Sequence, residues 1–188
     1  MIFQDNFNRL GRNLEFVTEA ECRAAIDTII FDVVDKFPNL MLALEYTISV
    51  TNDDETHELH GRLDYGVCHH GRRYLPHLVV VEAKEETKTG ILQCVAQCAA
   101  IHQQRKASSA HKNHRVFGIY TNGQVWTFIC IDQAGHYYRT KPIAMSLIAY
   151  DEQVLYVYRL VYYIIHSAHE QSPISTPAQS TNTLDAPQ

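Results

Sequence analysis

The segment LVVVEAKEE at residues 78–86 limits the possible folds of this chain more than any other. It is a run of apolar residues that ends in charged residues. Leu78 and the three valines after it predict a strand inside a core, whereas Glu82 and Lys84 are charged. Alternate side chains of a strand point to the same side, about 7 Å apart. The segment therefore predicts a core strand with Glu82 and Lys84 on one face of its end.

The surrounding patterns predict helices and strands in alternation. Thr18 and Glu21 form a capping-box pattern, which predicts a first helix that runs to about Phe37. An apolar strand, buried on both faces, and a hairpin partner are expected before the core strand. A helix, a strand, a hairpin with Asn122 and Gly123 in its turn, and a short strand follow. The predicted elements are 40–50, 58–67, 77–84, 89–106, 115–120, 124–131 and 136–140.

The last apolar segment, residues 151–169, predicts a closing helix, although its β-branched and aromatic content leaves a strand open. The order helix, three strands, helix, strand implies an α/β fold with helices around one mixed sheet. With 188 residues, of which 46% are hydrophobic, the chain has enough apolar material for one core. We expect a single domain over residues 1–168 and a disordered tail rich in Ser, Thr, Pro and Gln over 169–188.

The charge of the chain is unevenly distributed. Its formal net charge of -5 argues against a protein that binds nucleic acid through bulk charge alone. The segment 87–131, however, contains no Asp or Glu and several basic residues. It is either a solvated basic helix and loop or a track for phosphates.

The cysteines and the first residues of the chain bear on its compartment. Five cysteines, an odd number, lie in apolar runs, and no signal peptide or long apolar span is evident. We expect reduced thiols in an intracellular protein, cytoplasmic or nuclear, without a membrane partner. Cys94 and Cys98 have a spacing that suits zinc, but no second cysteine pair completes such a site.

Two carboxylates are expected to converge at the end of the core strand. Asp64 lies on the strand before it, where alternation puts Arg62, Asp64 and Gly66 on one face and Leu63, Tyr65 and Val67 on the other. If both strands turn their charged residues to the same end, Asp64 meets Glu82. Such a pair is costly unless a cation lies between its members, and oxygen ligands suit Mg²⁺ or Mn²⁺. Lys84 would then hold or polarise a water molecule, although Glu82 and Lys84 also fit a surface ion pair.

The helix after the core strand carries a stripe of glutamines, Gln93, Gln97 and Gln104, opposite an apolar side. The stripe is either the solvated face of the helix, or it directs Gln93 at the metal and Gln97 at the substrate backbone.

These residues resemble the PD-(D/E)XK nuclease superfamily. The matching motifs are GRLD at 61–64, VEAK at 81–84 and Q-x-x-x-Q at 93–97. The nearest likeness is to the N-terminal nuclease domain of type I restriction enzyme motor subunits, through TEAECRAAID at 18–27 and TNGQVW at 121–126, and to RecB-like members, which accept G-x-hydrophobic-D without the proline. The likeness spans about residues 15–130.

The resemblance implies a restriction-endonuclease-like core (αβββαβ) and hydrolysis of phosphodiester bonds with Mg²⁺ or Mn²⁺. It implies Asp64, Glu82 and the Ala83 carbonyl as metal ligands, Lys84 at the water and Glu19 as a further acid and ligand. Glu21 or Glu15 would be alternatives to Glu19. The resemblance also implies that Gln93 is a catalytic residue.

The partner implied by this resemblance is nucleic acid, with DNA favoured over RNA, and with a homodimer or a second protein giving specificity. The expected contacts to nucleic acid are Gln97, Arg62, Lys88, Arg105 and Lys106. An alternative is a catalytically idle module of the same fold that binds nucleic acid or protein. A cap-snatching RNA endonuclease would need a His on the first helix, and none is present. A zinc hydrolase is disfavoured because HELH at 57–60 lacks the five-residue zinc-protease pattern.

Overall fold

The computed structural model describes residues 2–51, 58–70, 79–83, 88–107, 113–146 and 151–171. Within these ranges four helices flank one mixed sheet of seven strands, so the predicted α/β class with a central mixed sheet is confirmed. The elements are α1 (Ile2–Asn13), α2 (Glu19–Val34), β1 (Leu40–Thr51), β2 (Glu58–His69), β3 (Val79–Ala83), α3 (Lys88–Ala107), β4 (Val116–Thr121), β5 (Val125–Ile131), β6 (Tyr137–Arg139), β7 (Ile143–Ala144) and α4 (Glu152–Glu170).

The sheet has the strand order β1-β2-β3-β4-β5-β6, with β7 also paired to β5. β3 and β4 are parallel, and the other pairs are antiparallel. A parallel pair needs a crossover connection, and α3 lies in the connection between β3 and β4. The predicted order helix, three strands, helix, strand is present as α2, β1 to β3, α3 and β4.

α2 begins as the capping box predicts. The backbone N–H of Glu21 donates to Thr18 Oγ1 at 3.3 Å, and the N–H of Thr18 donates to Glu21 Oε2 at 2.9 Å. The helix ends at Val34, earlier than the predicted Phe37. α1 lies in a segment for which no helix was predicted, and its Phe3 and Phe7 join the core.

β1 is an edge strand, which contradicts the prediction that it is buried on both faces. It pairs only with β2 in the described sheet, and Leu44 is 47% exposed. An apolar run does not distinguish a central strand from an edge strand, because both carry β-branched and aliphatic residues.

The sheet separates two cores. Val79 and Val81 face the first, with α1, α2 and α4, whereas Val80 faces the second, with α3. The segment for which helix and strand both remained open is the helix α4, and it extends to Glu170, two residues into the predicted tail. The Asn122-Gly123 hairpin is confirmed between β4 and β5, where Gly123 has φ +90°.

Several predicted features lie outside the described residues. They are Lys84 and residues 172–188 of the tail, and the segments 52–57 between β1 and β2 and 71–78 before β3 lie outside the described residues as well. In the ranges that the structure does describe, none of the helices is long and apolar enough to span a membrane.

Candidate functional site

The β1–β2 ladder breaks at Glu45 and Asp64. The pairing runs as far as Leu44 with Tyr65 and resumes at Tyr46 with Leu63. Glu45, at the break, has φ +48°, a left-handed conformation that strands do not normally contain. Asp64 therefore lies at an irregular point of the sheet.

The break changes which side of the sheet the side chains face. On β2, Tyr65 and Val67 pack in the core with α2, but Leu63 packs in the core with α3. The predicted alternation, with Leu63, Tyr65 and Val67 on one face, is wrong for this reason. Alternation holds only while the pairing of the strands is regular, and sequence alone did not reveal the break in the β1–β2 ladder at Glu45 and Asp64.

The carboxylate of Asp64 takes the place of a backbone acceptor at the end of β3. The register of β2 and β3 pairs Tyr65 with Val81, and beyond that pair Asp64 Oδ2 accepts the N–H of Ala83 at 2.8 Å. This hydrogen bond is buried and joins residues far apart in the sequence. It fixes one oxygen of Asp64 beside the peptide that follows Glu82.

The other oxygen of Asp64 faces α2. Arg23 Nη2 lies 3.5 Å from Asp64 Oδ1 and 3.3 Å from Glu19 Oε1, so the guanidinium links the two carboxylates. Partial burial works to lower the pKa of Arg23, but attraction by Asp64, Tyr65 and Glu19 outweighs it and the pKa is raised. Arg23 remains a cation at neutral pH and partly neutralises Asp64.

Arg23 was not among the predicted site residues. The sequence does contain an indication of its role, because Arg23 lies four residues after Glu19 on α2. Residues at this spacing are neighbours on a helix surface. Of the acids considered beside Glu19, Glu21 is held in the capping box, where hydrogen bonds from Thr18 lower its pKa. Glu15 is exposed ahead of the helix.

Glu82 lies on the opposite side of β3 from α2. Its side chain is fully buried, and its Oε2 accepts a hydrogen bond of 3.0 Å from Gln97 Nε2. The same amide nitrogen donates to the backbone carbonyl of Arg62 at 3.0 Å. Gln97 therefore ties α3 to both β2 and β3, at the end of the sheet where Asp64 holds Ala83.

The glutamine stripe of α3 faces the sheet. Gln97 is buried, Gln93 is half-buried, and Gln104 Nε2 donates to the carbonyl of Ser49 at 2.6 Å. Leu92, which was expected on the opposite, apolar side, is 66% exposed. The solvated-face interpretation is wrong for Gln97, whose amide is buried and donates to the carboxylate of Glu82 and the carbonyl of Arg62.

The oxygen atoms of Asp64, Glu82 and Ala83 are the groups that could hold a hard divalent cation. Across the described ranges, no three His, Cys, Asp or Glu side chains form a group that could bind a metal. Mg²⁺, however, keeps several waters and needs only one or two carboxylates. Carboxylates are ligands that such an ion takes, although Asp64 contacts Arg23 on the α2 side of β3 and Glu82 contacts Gln97 on the α3 side, with Glu19 further out beyond Arg23.

A cleft of about 240 Å³ opens next to this site. It lies between the start of α2 and the β4–β5 turn, and its lining includes the candidate ligand Ala83 and the Arg23 that contacts Asp64. The lining residues are 16–19, Cys22, Arg23, Ile26, Ala83, Asn122 and Gln124.

The predicted phosphate contacts are not gathered at the site. Arg62 has a 64% exposed side chain 3.9 Å from Glu45, and Lys106 is exposed near the end of α3. Arg105 is buried and donates to the carbonyl of Arg115 at 2.6 Å, and burial lowers its pKa to about 10. In this structure its guanidinium supports the α3–β4 junction. Lys88 begins α3, but its side chain lies outside the described part of the chain.

Comparison of the chain with models of known protein families gave no match, and comparison with curated proteins gave no significant match. The assignment of a function therefore depends on the residues and contacts described above.

Proposed function

We propose that the protein is a divalent-metal-dependent nuclease of the PD-(D/E)XK type that hydrolyses phosphodiester bonds, with DNA favoured over RNA. The observation that supports it is the hydrogen bond of 2.8 Å from the Ala83 N–H to Asp64, which fixes a carboxylate of β2 beside the residue after Glu82. The order of α2, β1 to β3, α3 and β4 agrees with a restriction-endonuclease-like core.

The roles follow from the contacts of each side chain. Asp64 and Glu82 would bind Mg²⁺ or Mn²⁺ together with the Ala83 carbonyl. Gln97 orients Glu82 through its hydrogen bond of 3.0 Å, and so belongs to the support of the ligands. Arg23 and Glu19 lie on the α2 side of Asp64, and we assign to the Arg23 guanidinium a contact with a phosphate oxygen of the substrate.

The chemistry at this site is hydrolysis by water. A bound divalent ion supplies Lewis-acid activation of a phosphoryl oxygen and lowers the pKa of water. Lys84 follows Glu82 by two residues in the sequence, and we assign to it the orientation of the attacking water and the offset of charge on the phosphoryl group. Gln93, half-buried one helical turn before Gln97, is assigned to the same side of the site.

The test is cleavage of single- and double-stranded DNA and RNA with Mg²⁺, Mn²⁺ or EDTA. Asp64→Asn keeps an oxygen for the Ala83 N–H but removes the charge, and Glu82→Gln and Lys84→Ala remove the other two groups. We expect each to lower the rate by about 100-fold or more, as loss of a group that stabilises transition-state charge does. Glu152→Gln, at the exposed start of α4, is the matched control. Equal cleavage by Asp64→Asn and the control would refute the proposal.

A second candidate is a module of the same fold that binds nucleic acid or protein without cleaving. The ion pair between Arg23 and Asp64 supports it, because it gives the carboxylate a cation that belongs to the chain. Tight binding that is the same in EDTA and in Mg²⁺, with no cleavage of any strand, would favour this module over the nuclease.

A further inference from the structure

The cleft beside Arg23 adjoins the candidate metal ligands. Ala83 contributes to its wall, and the N–H of Ala83 is the group that Asp64 holds. We propose, on the basis of the nuclease function above, that this cleft binds the nucleotide next to the scissile phosphodiester, and that the substrate is a strand with unpaired nucleotides at that position.

The size of the cleft suits a single base. Its volume is about 240 Å³, and pockets for drug-sized ligands measure about 300–1,000 Å³. A cleft of this volume accommodates one base-sized group. A base in a duplex must leave its stack and its partner before it can enter such a pocket, whereas an unpaired base has less to lose.

The lining of the cleft suits a base. Val17 and Cys22 offer apolar surface to a base face, and Asn122 and Gln124 offer amide groups to a base edge. Asn122 Oδ1 accepts the N–H groups of Gln124 and Val125 at 3.0 and 2.7 Å, which fixes the orientation of its amide. Gln124 is exposed, so its amide can change orientation more readily than the amide of Asn122.

The wall of the cleft is held rigidly. Gly123 has φ +90°, and a Cβ at this position would lie 2.9 Å from the carbonyl oxygen of Cys22. The turn backbone therefore packs directly against α2. Trp126 Nε1 also donates to the carbonyl of Gly123 at 3.0 Å. A preformed cleft of this kind loses little conformational freedom when a ligand enters it.

Arg23 is the cation in the lining of the cleft, and it lies beside the carboxylate of Glu19. Its side chain is 31% exposed, lines the cleft and is oriented by Glu19 and Asp64. A guanidinium forms strong, charge-assisted hydrogen bonds with phosphate oxygens. A nucleotide with its base between α2 and the turn would place its phosphate near this group.

The experiment measures binding of thymidine 5′-monophosphate to the full chain by calorimetry in Mg²⁺. This probe has no diester bond to hydrolyse. Gln124→Glu puts a negative charge on the cleft wall, and Gln153→Glu makes the same change on the exposed face of α4, outside the cleft lining. We expect Arg23→Met to weaken binding about tenfold or more, the loss typical of a charge-assisted hydrogen bond. We expect Gln124→Glu to weaken it by a similar factor, because the added negative charge repels the phosphate of the probe, and Gln153→Glu to leave it unchanged.

Strand preference gives a second readout. We expect the wild-type protein to cut a single-stranded oligonucleotide faster than a covalently closed duplex of the same sequence. The cleft proposal is overturned if Gln124→Glu binds the probe as Gln153→Glu does, if the wild-type protein does not bind it, or if both substrates are cut at equal rates. Emission of Trp126, the single tryptophan, checks that the hairpin is folded in each variant.

The two proposals fail in different ways. If the wild-type protein cleaves, Asp64→Asn does not, and Gln124→Glu binds the probe normally, the nuclease assignment stands and the cleft assignment falls. If no strand is cleaved but binding of the probe still depends on Gln124, the nuclease assignment falls and nucleotide binding in the cleft stands.

Discussion

Gln97 and Glu82 are both buried, and the amide of one donates to the carboxylate of the other at 3.0 Å. A carboxylate without contact with water is stable only if hydrogen-bond donors or cations compensate for its lost hydration. Gln97, the second glutamine of the Q-x-x-x-Q motif, therefore has a structural role that does not depend on any substrate.

We expect Gln97→Leu to lower the free energy of unfolding by about 1–3 kcal/mol, because the substitution removes the donor to Glu82 and to the Arg62 carbonyl while keeping the side-chain size. Urea unfolding followed by circular dichroism measures the change. Gln103→Leu, at an exposed position of the same helix, should change it by less than about 0.5 kcal/mol. Equal losses in the two variants would show that the hydrogen bond to Glu82 contributes nothing.

Arg23 and a divalent ion would compete for Asp64. We expect Arg23→Met to bind Mn²⁺ about three- to tenfold more tightly than the wild-type protein, because a positive charge 3.5 Å from Asp64 Oδ1 is removed. Electron paramagnetic resonance of free Mn²⁺ measures the affinity. Arg9→Met, at an exposed position of α1, is the control for loss of one positive charge. If Arg23→Met instead binds Mn²⁺ more weakly than this control, then Arg23 holds the carboxylate of Asp64 in position and does not compete with the ion.

Local signals predicted the elements of the fold well. The capping box of Thr18 and Glu21 and the turn at Asn122 and Gly123 form where the sequence places them, because both depend on hydrogen bonds between residues at most four apart. α1 carried no such signal. Its helix is stabilised by Phe3 and Phe7 packing against residues that are distant in the sequence, including Tyr158.

The site was harder to predict than the fold. The sequence pointed to Asp64, Glu82 and the glutamines, but not to the way they are held. The hydrogen bond from Ala83 to Asp64 and the ion pair with Arg23 join separate elements, and no local pattern encodes them. The break at Glu45 also escaped prediction, since a Glu in a strand normally indicates an extended residue on a solvated edge.

The left-handed backbone of Glu45 leads to a test by glycine substitution. A non-glycine residue in this conformation costs about 1–2 kcal/mol, and glycine in a strand costs about 0.5–1 kcal/mol in backbone entropy. We therefore expect Glu45→Gly, where φ is +48°, to be neutral or to stabilise by up to about 1 kcal/mol. Thr47→Gly, two residues along the same strand and exposed, should lose about 1 kcal/mol. Urea unfolding compares them, and equal destabilisation would contradict the role of the backbone at Glu45.

Tyr158 provides a pH-dependent test of the contact between α2 and α4. Burial, together with its hydrogen bond of 2.7 Å to Asp32, raises the pKa of Tyr158 to about 12. The pKa of tyrosine in an unfolded chain is about 10. Between these two values the folded protein holds a proton that the unfolded chain releases. The contribution to stability is therefore complete below pH 10 and declines as the pH rises to 12.

We expect the free energy of unfolding of the wild-type protein to fall more steeply from pH 9 to pH 11 than that of Tyr158→Phe, which has no proton to release at this position. Urea unfolding at several pH values in this range measures both slopes. Tyr156→Phe removes a hydroxyl from a 50% exposed side chain of the same helix and should retain the wild-type slope. If Tyr158→Phe and Tyr156→Phe give the same slope, the hydrogen bond between Tyr158 and Asp32 does not hold α4 against α2 in solution.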